Sequence, residues 1–224
     1  TAGPLQFIKP PTPPPMDSNY SPVPVATDDA PPAGAVAAPQ GSAPQGSAAQ
    51  GSGNDNVQGT SGNDDLNGLE GDDNVYGNEG DDQVRGGKGN DTVYGGKDND
   101  SVYGDLGDDT VYGNDGDDQA YGGKGNDSVY GGKGNDRVFG DNGDDRLSGD
   151  RGDDVIDGGE GNDTASFSGS ISNYTITREG AGFRVVDNRP GEDGSDFVTN
   201  VESFNFGGQG YSANGLFIHG TGKN

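Results

Sequence analysis

Aspartate recurs at every ninth residue through the middle of the chain, and these thirteen side chains are its most regular chemical feature. Each one directly follows an Asn or an Asp, and all but one have a glycine two residues earlier. Carboxylates set among glycine-rich turns provide hard oxygen ligands, which suit a divalent cation. The candidate metal ligands are therefore Asp55, Asp64, Asp73, Asp82, Asp91, Asp100, Asp109, Asp118, Asp127, Asp136, Asp145, Asp154 and Asp163.

The composition excludes most other kinds of functional site. It has no Cys and a single His, His219, so neither a thiol site nor a His-rich zinc site can be built. A serine nucleophile would lack a base for the same reason, and we expect no catalytic site and no enzymatic activity. The net charge of −25 disfavours nucleic acids and anionic membranes as partners. No apolar run approaches the ~20 residues of a transmembrane helix.

The aspartates belong to a nine-residue repeat that fills residues 50–166 with thirteen registers. Residues 86–94, for example, read Gly-Gly-Lys-Gly-Asn-Asp-Thr-Val-Tyr. The first and fourth positions are each Gly in twelve registers, the sixth is always Asp, and the eighth is Val, Leu, Ile or Ala. Because Gly and Asn tolerate positive φ, the first six positions predict a turn. The last three predict a short strand with its aliphatic side chain pointing inward.

Alternating turns and strands predict an all-β fold, a right-handed parallel β-roll of two sheets with two repeats per circuit. The thirteen repeats would wind about 6.5 circuits, with repeats n and n+2 directly above one another. Two stacked turns together present about six carboxylate and carbonyl oxygens, a set that suits Ca²⁺ better than Mg²⁺. Thirteen turns paired in this way allow at most eleven calcium sites.

Folding of this roll is predicted to depend on the metal. Small inward side chains bury little apolar surface, whereas ordering a glycine-rich backbone has a large entropic cost. Repulsion among the many carboxylates opposes folding further. We therefore hypothesise that calcium binding and folding of the roll are one event.

The repeat resembles the haemolysin-type calcium-binding nonapeptide of RTX proteins, Gly-Gly-x-Gly-x-Asp-x-U-x with U aliphatic. The resemblance implies a β-roll, export of the unfolded chain by bacterial type I secretion, and folding in extracellular calcium. The sequence departs from the family pattern at Gln50, Asp98, Ala120 and Ala165. It also implies that backbone carbonyls of the turns join the aspartates as ligands, here those of Gly59, Gly68, Gly77, Gly86, Gly95, Gly104, Gly113, Gly122, Gly131, Gly140, Gly149 and Gly158.

The flanks of the repeat have different compositions. Residues 1–49 hold 12 of the 13 prolines and predict a disordered linker. Residues 167–218 carry alternating strand patterns, and a solenoid needs an atypical terminal unit, so they predict a β-rich cap. By resemblance to the flank of RTX proteins, this cap could also contribute to a secretion signal. Residues 219–224 predict a frayed tail.

Aromatic side chains recur at the outward ninth position and would form one ladder on each sheet. Stacking across strands is one interpretation, and a contact surface for a glycan, a cell surface or a protein is another. Two alternative functions stay open with it: an adhesin or interaction module, and the C-terminal part of a larger RTX hydrolase or toxin. The residues concerned are Tyr76, Tyr94, Tyr103, Tyr112, Tyr121, Tyr130 and Phe139.

Overall fold

The computed structural model describes residues 47–49 and 51–218. The part of the predicted linker before Ser47, and the predicted tail 219–224, lie outside these residues. The first strand begins at Ser47, three residues before the repeat boundary expected from the composition. Among the described residues, no helix is long and apolar enough to cross a membrane.

Nineteen strands and two short 3₁₀ helices build the described chain. The strands of the repeat region are β1 (Ser47–Ala49), β2 (Asn56–Gln58), β3 (Asp65–Glu70), β4 (Asn74–Glu79), β5 (Gln83–Lys88), β6 (Thr92–Lys97), β7 (Ser101–Leu106), β8 (Thr110–Asp115), β9 (Gln119–Lys124), β10 (Ser128–Lys133), β11 (Arg137–Asn142), β12 (Arg146–Arg151), β13 (Val155–Glu160) and β14 (Thr164–Phe167). The later strands are β15 (Tyr174–Glu179), β16 (Gly182–Asp187), β17 (Ser195–Thr199), β18 (Ser203–Phe206) and β19 (Gln209–Ser212), and the 3₁₀ helices are Ile171–Asn173 and Ala213–Ile218.

The repeat strands divide by parity into two sheets. Odd-numbered strands β1 to β13 form one sheet in sequence order, and even-numbered strands β2 to β14 form the other. Neighbours are parallel and pair residues eighteen positions apart, as Val93 pairs with Val75 and Val111. Eighteen residues are two repeats, so the predicted parallel β-roll is confirmed, with about six turns of solenoid.

The strands are twice as long as the sequence pattern predicts. From β3 to β13 each strand has six residues, because the first three positions of the next repeat continue to pair with the adjacent rung. The second position takes positive φ, as in Gly87 (116°) and Asn114 (82°), so the chain bends there. The turn proper is therefore only positions four to six.

The interior of the roll is filled by small aliphatic side chains, one row from each sheet. All thirteen eighth-position residues, Val57 to Ala165, are fully buried. The first-position glycines and the sixth-position aspartates also face inward, and from Asp64 onward these aspartates are at most 4% exposed. The core thus alternates apolar layers with buried carboxylates at the turns.

The segment after the repeat closes the end of the roll. β17 adds in parallel to β13, and β18 adds in parallel to β14. Beyond them the pairing is antiparallel: β16 pairs with β17 and β15 with β16 on one sheet, and β19 pairs with β18 on the other. Phe167, Phe204 and Phe206 stack with ring centroids 5.1–6.4 Å apart and cover the last aliphatic layer.

A partly buried polar network holds the β15–β16 hairpin to the roll. The Arg189 guanidinium bonds both Asp187 oxygens, and it donates to the hydroxyl of Tyr174 at 2.9 Å. That hydroxyl donates to Asp193, whose other carboxylate oxygen accepts the Ser168 hydroxyl at 2.7 Å. Burial and the Asp193 carboxylate raise the pKa of Tyr174 to about 12, so its hydroxyl stays protonated and donates.

Candidate metal centre

The sixth-position aspartates form a continuous ladder along each side of the roll. From Asp55 to Asp145, the backbone N–H of each one donates to Oδ1 of the aspartate eighteen residues later, as Asp82 does to Asp100 and Asp100 to Asp118, both at 2.8 Å. From Asp73 to Asp163, Oδ1 is therefore committed to the backbone of the previous rung. The predicted metal residues are brought together in pairs that join repeats n and n+2.

The second carboxylate oxygen of nearly every ladder aspartate has no partner. A buried carboxylate oxygen without a hydrogen bond is costly, so twelve in one fold require an explanation. A cation at each turn provides one, because it replaces the missing donor. The unpartnered Oδ2 atoms belong to Asp55, Asp73, Asp82, Asp91, Asp100, Asp109, Asp118, Asp127, Asp136, Asp145, Asp154 and Asp163.

From Asp73 to Asp145, each unpartnered oxygen lies beside a backbone carbonyl from the next rung. A Cβ built on Gly86 would lie 2.5 Å from Asp91 Oδ2 and 2.8 Å from the carbonyl oxygen of Gly104. The first-position glycine therefore leaves a space that two oxygens face, and any side chain would fill it. The same arrangement recurs for the carbonyls of Gly77, Gly86, Gly95, Gly104, Gly113, Gly122, Gly131, Gly140, Gly149 and Gly158.

Two of the predicted carbonyl ligands are not placed in this way. Gly59 and Gly68 are the first of their columns of stacked glycines, and residues 41 and 50, one rung earlier, lie outside the described residues. The carbonyl of Gly59 instead accepts a hydrogen bond from Asn78 Nδ2 at 2.8 Å. Asp55, in the first turn, is also only half-buried.

Asp64 differs from the other ladder aspartates because of Thr60. Its Oδ2 accepts the Thr60 N–H at 2.5 Å and the Thr60 hydroxyl at 3.1 Å. Thr60 is at the second position, where a β-branched residue resists the left-handed φ adopted by Asn78 and Asn114. This turn therefore satisfies its carboxylate internally and is the poorest match to the other sites.

Asp98, which replaces the fourth-position glycine, keeps the turn intact. It takes φ 76°, within the left-handed region that Asp tolerates better than most residues. Its Oδ2 accepts the N–H of Gly80 at 3.2 Å. The substitution is thus absorbed by the neighbouring rung.

Burial makes the charged form of the ladder carboxylates unfavourable. Desolvation is the largest cause and raises the pKa, with neighbouring ladder aspartates adding to it. The pKa is raised to about 8 for Asp100, Asp109 and Asp136, to about 7 for Asp127, Asp145 and Asp154, and to about 6 for Asp82, Asp91 and Asp118. A bound cation would reverse this, because it favours the ionised form.

A second ladder runs along the outer edge of the turns at the fifth position. There the side-chain oxygen of each residue accepts the backbone N–H of the residue eighteen later, as Asp72 does from Asn90 at 2.9 Å. Asn and Asp alternate along both edges, so no two carboxylates are adjacent in this ladder. Asn side chains donate to the preceding Asp, as Asn135 does to Asp117 at 3.3 Å.

The ninth-position aromatics stack as two ladders. Neighbouring rings of Tyr76, Tyr94, Tyr112 and Tyr130 are 4.9–5.0 Å apart, and those of Tyr103, Tyr121 and Phe139 are 4.8–4.9 Å apart. Arg85 lies over the ring of Tyr103 at 4.2 Å. Tyr121 and Phe139 are only 8% and 4% exposed, which leaves little of their rings for a partner. Cross-strand stacking accounts for these contacts.

Third-position lysines bind acidic residues of the adjacent rung. Lys88 pairs with Glu70 at 2.6 Å, Lys97 with Glu79 at 2.5 Å, and Lys133 with Asp115 at 2.7 Å. These pairs are exposed, so they offset the acidic charge without adding much stability.

Two ladder residues outside the repeat were missed by sequence reasoning. The N–H of Asp154 donates to Oδ1 of Asp196 at 2.9 Å, and that of Asp163 donates to Oε2 of Glu202 at 2.8 Å. Burial raises the pKa of Asp196 to about 9. The sequence does carry a signal for Asp196, because residues 194–199, Gly-Ser-Asp-Phe-Val-Thr, match positions four to nine of the repeat.

The repeat region matches one known family model. Four copies of the model of the RTX calcium-binding nonapeptide repeat match residues 50–84, 76–111, 112–147 and 130–165, which together span more than half of the chain. The chain belongs to the RTX calcium-binding nonapeptide repeat family. A search of curated proteins found no match to this RTX chain.

The residues of this RTX roll fit calcium. Each turn presents its ladder carboxylate singly, and between residues 51 and 216 no three His, Cys, Asp or Glu side chains converge. The unpartnered Oδ2 and the adjacent glycine carbonyl are both oxygen donors, and calcium accepts carboxylate and backbone oxygens together. The RTX turns therefore place a side-chain oxygen and a main-chain oxygen side by side, a donor pair that suits calcium.

Proposed function

We propose that this RTX chain is a secreted calcium-binding module whose roll folds when it meets calcium outside the cell. The observation that carries the proposal is the row of twelve buried Oδ2 atoms without hydrogen-bond partners. From Asp73 to Asp145 each of them faces a glycine carbonyl of the next rung, so the fold concentrates negative charge where no protein donor neutralises it. Calcium would supply that missing charge at the ladder aspartates.

The ladder also explains why folding would respond to metal concentration. Without the cation, the roll must hold its ladder carboxylates either protonated or unpaired, and both states disfavour the folded chain near neutral pH. Cytosolic free calcium is far lower than extracellular calcium, so the chain would stay unfolded inside the cell. An unfolded chain suits type I secretion, which the family resemblance implies.

The proposed role is structural rather than catalytic. The repeat β-roll is not a known enzyme fold, and its buried carboxylates are all engaged in the ladder. Presentation of a preceding or attached segment outside the cell is the role that this architecture supports.

A far-UV circular dichroism titration with Ca²⁺, with Mg²⁺ and chelator as controls, tests this function. We expect a cooperative change from coil to β-structure that Ca²⁺ produces and that Mg²⁺ at the same concentration does not. A β spectrum that persists in excess chelator at neutral pH would contradict calcium-coupled folding.

A further inference from the structure

The cap repeats the ladder geometry beyond the last nonapeptide. Asp154 bonds Asp196 at a separation of 42 residues, whereas ladder residues within the repeat are 18 apart. The segment that contains β15 and β16 therefore adds 24 residues between these two rungs. After this insertion, residues 194–199 occupy the next rung on the column of Asp154. The chain therefore resumes the solenoid after leaving it.

Four separate contacts of the repeat turn recur at this rung. The Asp154 N–H donates to Asp196 Oδ1 at 2.9 Å, and the Phe197 N–H donates to the Asp154 carbonyl at 2.8 Å. The Ser195 N–H donates to Asp153 Oδ1 at 2.9 Å, as fifth-position residues do throughout. Gly194 has φ 77°, and a Cβ built on it would lie 1.9 Å from the carbonyl oxygen of Gly152, as at the fourth-position glycines before it.

The other column ends on a comparable rung. A Cβ built on Gly158 would lie 2.6 Å from Asp163 Oδ2 and directly against the carbonyl oxygen of Asn200. Asn200 thus takes the place of the first-position glycine, and Glu202 takes that of the ladder aspartate by accepting the Asp163 N–H. Ser203 N–H donates to the Asp163 carbonyl at 3.0 Å, which completes the backbone pattern.

Both rungs leave a buried oxygen that has no protein partner. Asp154 is 1% exposed and Asp163 is fully buried, and Oδ2 of each lacks a hydrogen bond. The repeat ends at residue 166, so no nonapeptide turn lies eighteen residues after Asp154 or Asp163. We propose that the cap completes two further calcium sites, with Asp196 as the added ligand for the Asp154 turn and Asn200 and Glu202 as the added ligands for the Asp163 turn.

This inference rests on the proposed calcium function of the ladder, and counting bound ions separates the two. Calcium bound per chain would be measured by equilibrium dialysis and atomic absorption at saturating free Ca²⁺, on the full chain. The variants are Asp196→Asn and Glu202→Gln, which keep an oxygen to accept the ladder N–H but lose the charge. Asp136→Asn, inside the repeat, is the benchmark for loss of one site.

Asp153→Asn is the matched control. It removes one negative charge from the same rung, and Asn already alternates with Asp at this position, so the bond to Ser195 can be kept. We expect Asp196→Asn, Glu202→Gln and Asp136→Asn each to bind one ion fewer than the unmodified chain, and Asp153→Asn to bind the full number.

The possible results separate the hypotheses. A full ion count in Asp196→Asn and Glu202→Gln, with one ion lost in Asp136→Asn, would overturn the cap sites while leaving the ladder function standing. A full count in Asp136→Asn, or no calcium bound by the unmodified chain, would instead contradict the proposed function itself. Circular dichroism of the same samples checks folding, and if Asp196→Asn does not fold, Glu202→Gln on the other column decides.

Discussion

The backbone N–H of Asp100 donates to Oδ1 of Asp118 at 2.8 Å, while Oδ2 of Asp118 receives no hydrogen bond. One oxygen thus fixes the spacing of two rungs, and the other remains available for a cation. This arrangement within a single carboxylate recurs along both ladders, and under the proposed function it would link folding to metal binding.

Replacing Asp118 by Asn should separate these two roles. Asn keeps an oxygen to accept the Asp100 N–H but loses the charge, so we expect the calcium concentration at the folding midpoint to rise on the order of tenfold, equivalent to about 1.4 kcal/mol. Asp117→Asn is the matched control, because it removes the same charge from the adjacent exposed position. A calcium titration followed by circular dichroism measures both, and equal midpoints for the two variants would contradict the assignment.

Metal-free stability should increase as the pH falls. The ladder aspartates have folded-state pKa values raised to about 6 to 8, above those of the unfolded chain. Protonation therefore contributes stability that is fully present below about pH 4, the unfolded pKa, and is lost as the pH rises through 6 to 8. In excess chelator, we expect more β-structure at pH 5 than at pH 8 by circular dichroism. A signal that does not change with pH, or that falls on acidification, would contradict this.

Glycine at the first position should be required for a reason other than backbone conformation. Gly113 is not left-handed, but a Cβ there would lie 2.5 Å from both Asp118 Oδ2 and the Gly131 carbonyl oxygen. Gly113→Ala should therefore fill the space between two ligands and destabilise the calcium-bound roll by about 1–3 kcal/mol. Gly53→Ala, where a Cβ meets no atom within 4 Å, is the control. Thermal unfolding in calcium compares them, and equal effects would rule out the steric explanation.

The cap network should contribute to stability independently of calcium. Tyr174→Phe removes the hydroxyl that donates to Asp193 and accepts from Gly169 N–H at 2.8 Å, leaving buried groups without partners. We expect a loss of about 1–3 kcal/mol in the free energy of unfolding. Tyr112→Phe keeps its stacked ring and should cost less. Denaturant unfolding at saturating calcium measures both, with an unchanged ion count expected for each variant.

The repeat region shows how far sequence reasoning reached. Period nine predicted the stacking of residues eighteen apart and the inward aliphatic side chains from Val57 to Ala165, because each follows from a pattern that is local to one repeat. The strand length was underestimated, since positive φ at the second position permits a bend without loss of pairing. The Thr60 bond to Asp64 was also missed, because it depends on side-chain geometry within one turn.

The cap was harder to predict for a physical reason. Asp196 and Glu202 become ladder residues only because β15 and β16 fold away as a hairpin and return the chain to its register. The match of residues 194–199 to the repeat marks where the pattern resumes, but not on which column of the roll the chain does so. Packing against the last turns of the roll, and not the nine-residue period, places Asp196 one rung beyond Asp154, which lies 42 residues earlier.

The sequence by itself determined the repeating unit, the types of candidate ligand and their even spacing, because these are properties of nine consecutive residues. Only the tertiary structure decided which oxygens are already bonded and which remain unpartnered. That distinction depends on pairing between rungs, where Oδ1 is held by the backbone of one neighbour and Oδ2 faces the carbonyl of another. It also decided that the roll continues into the cap, because contacts between residues far apart in sequence close its final turns.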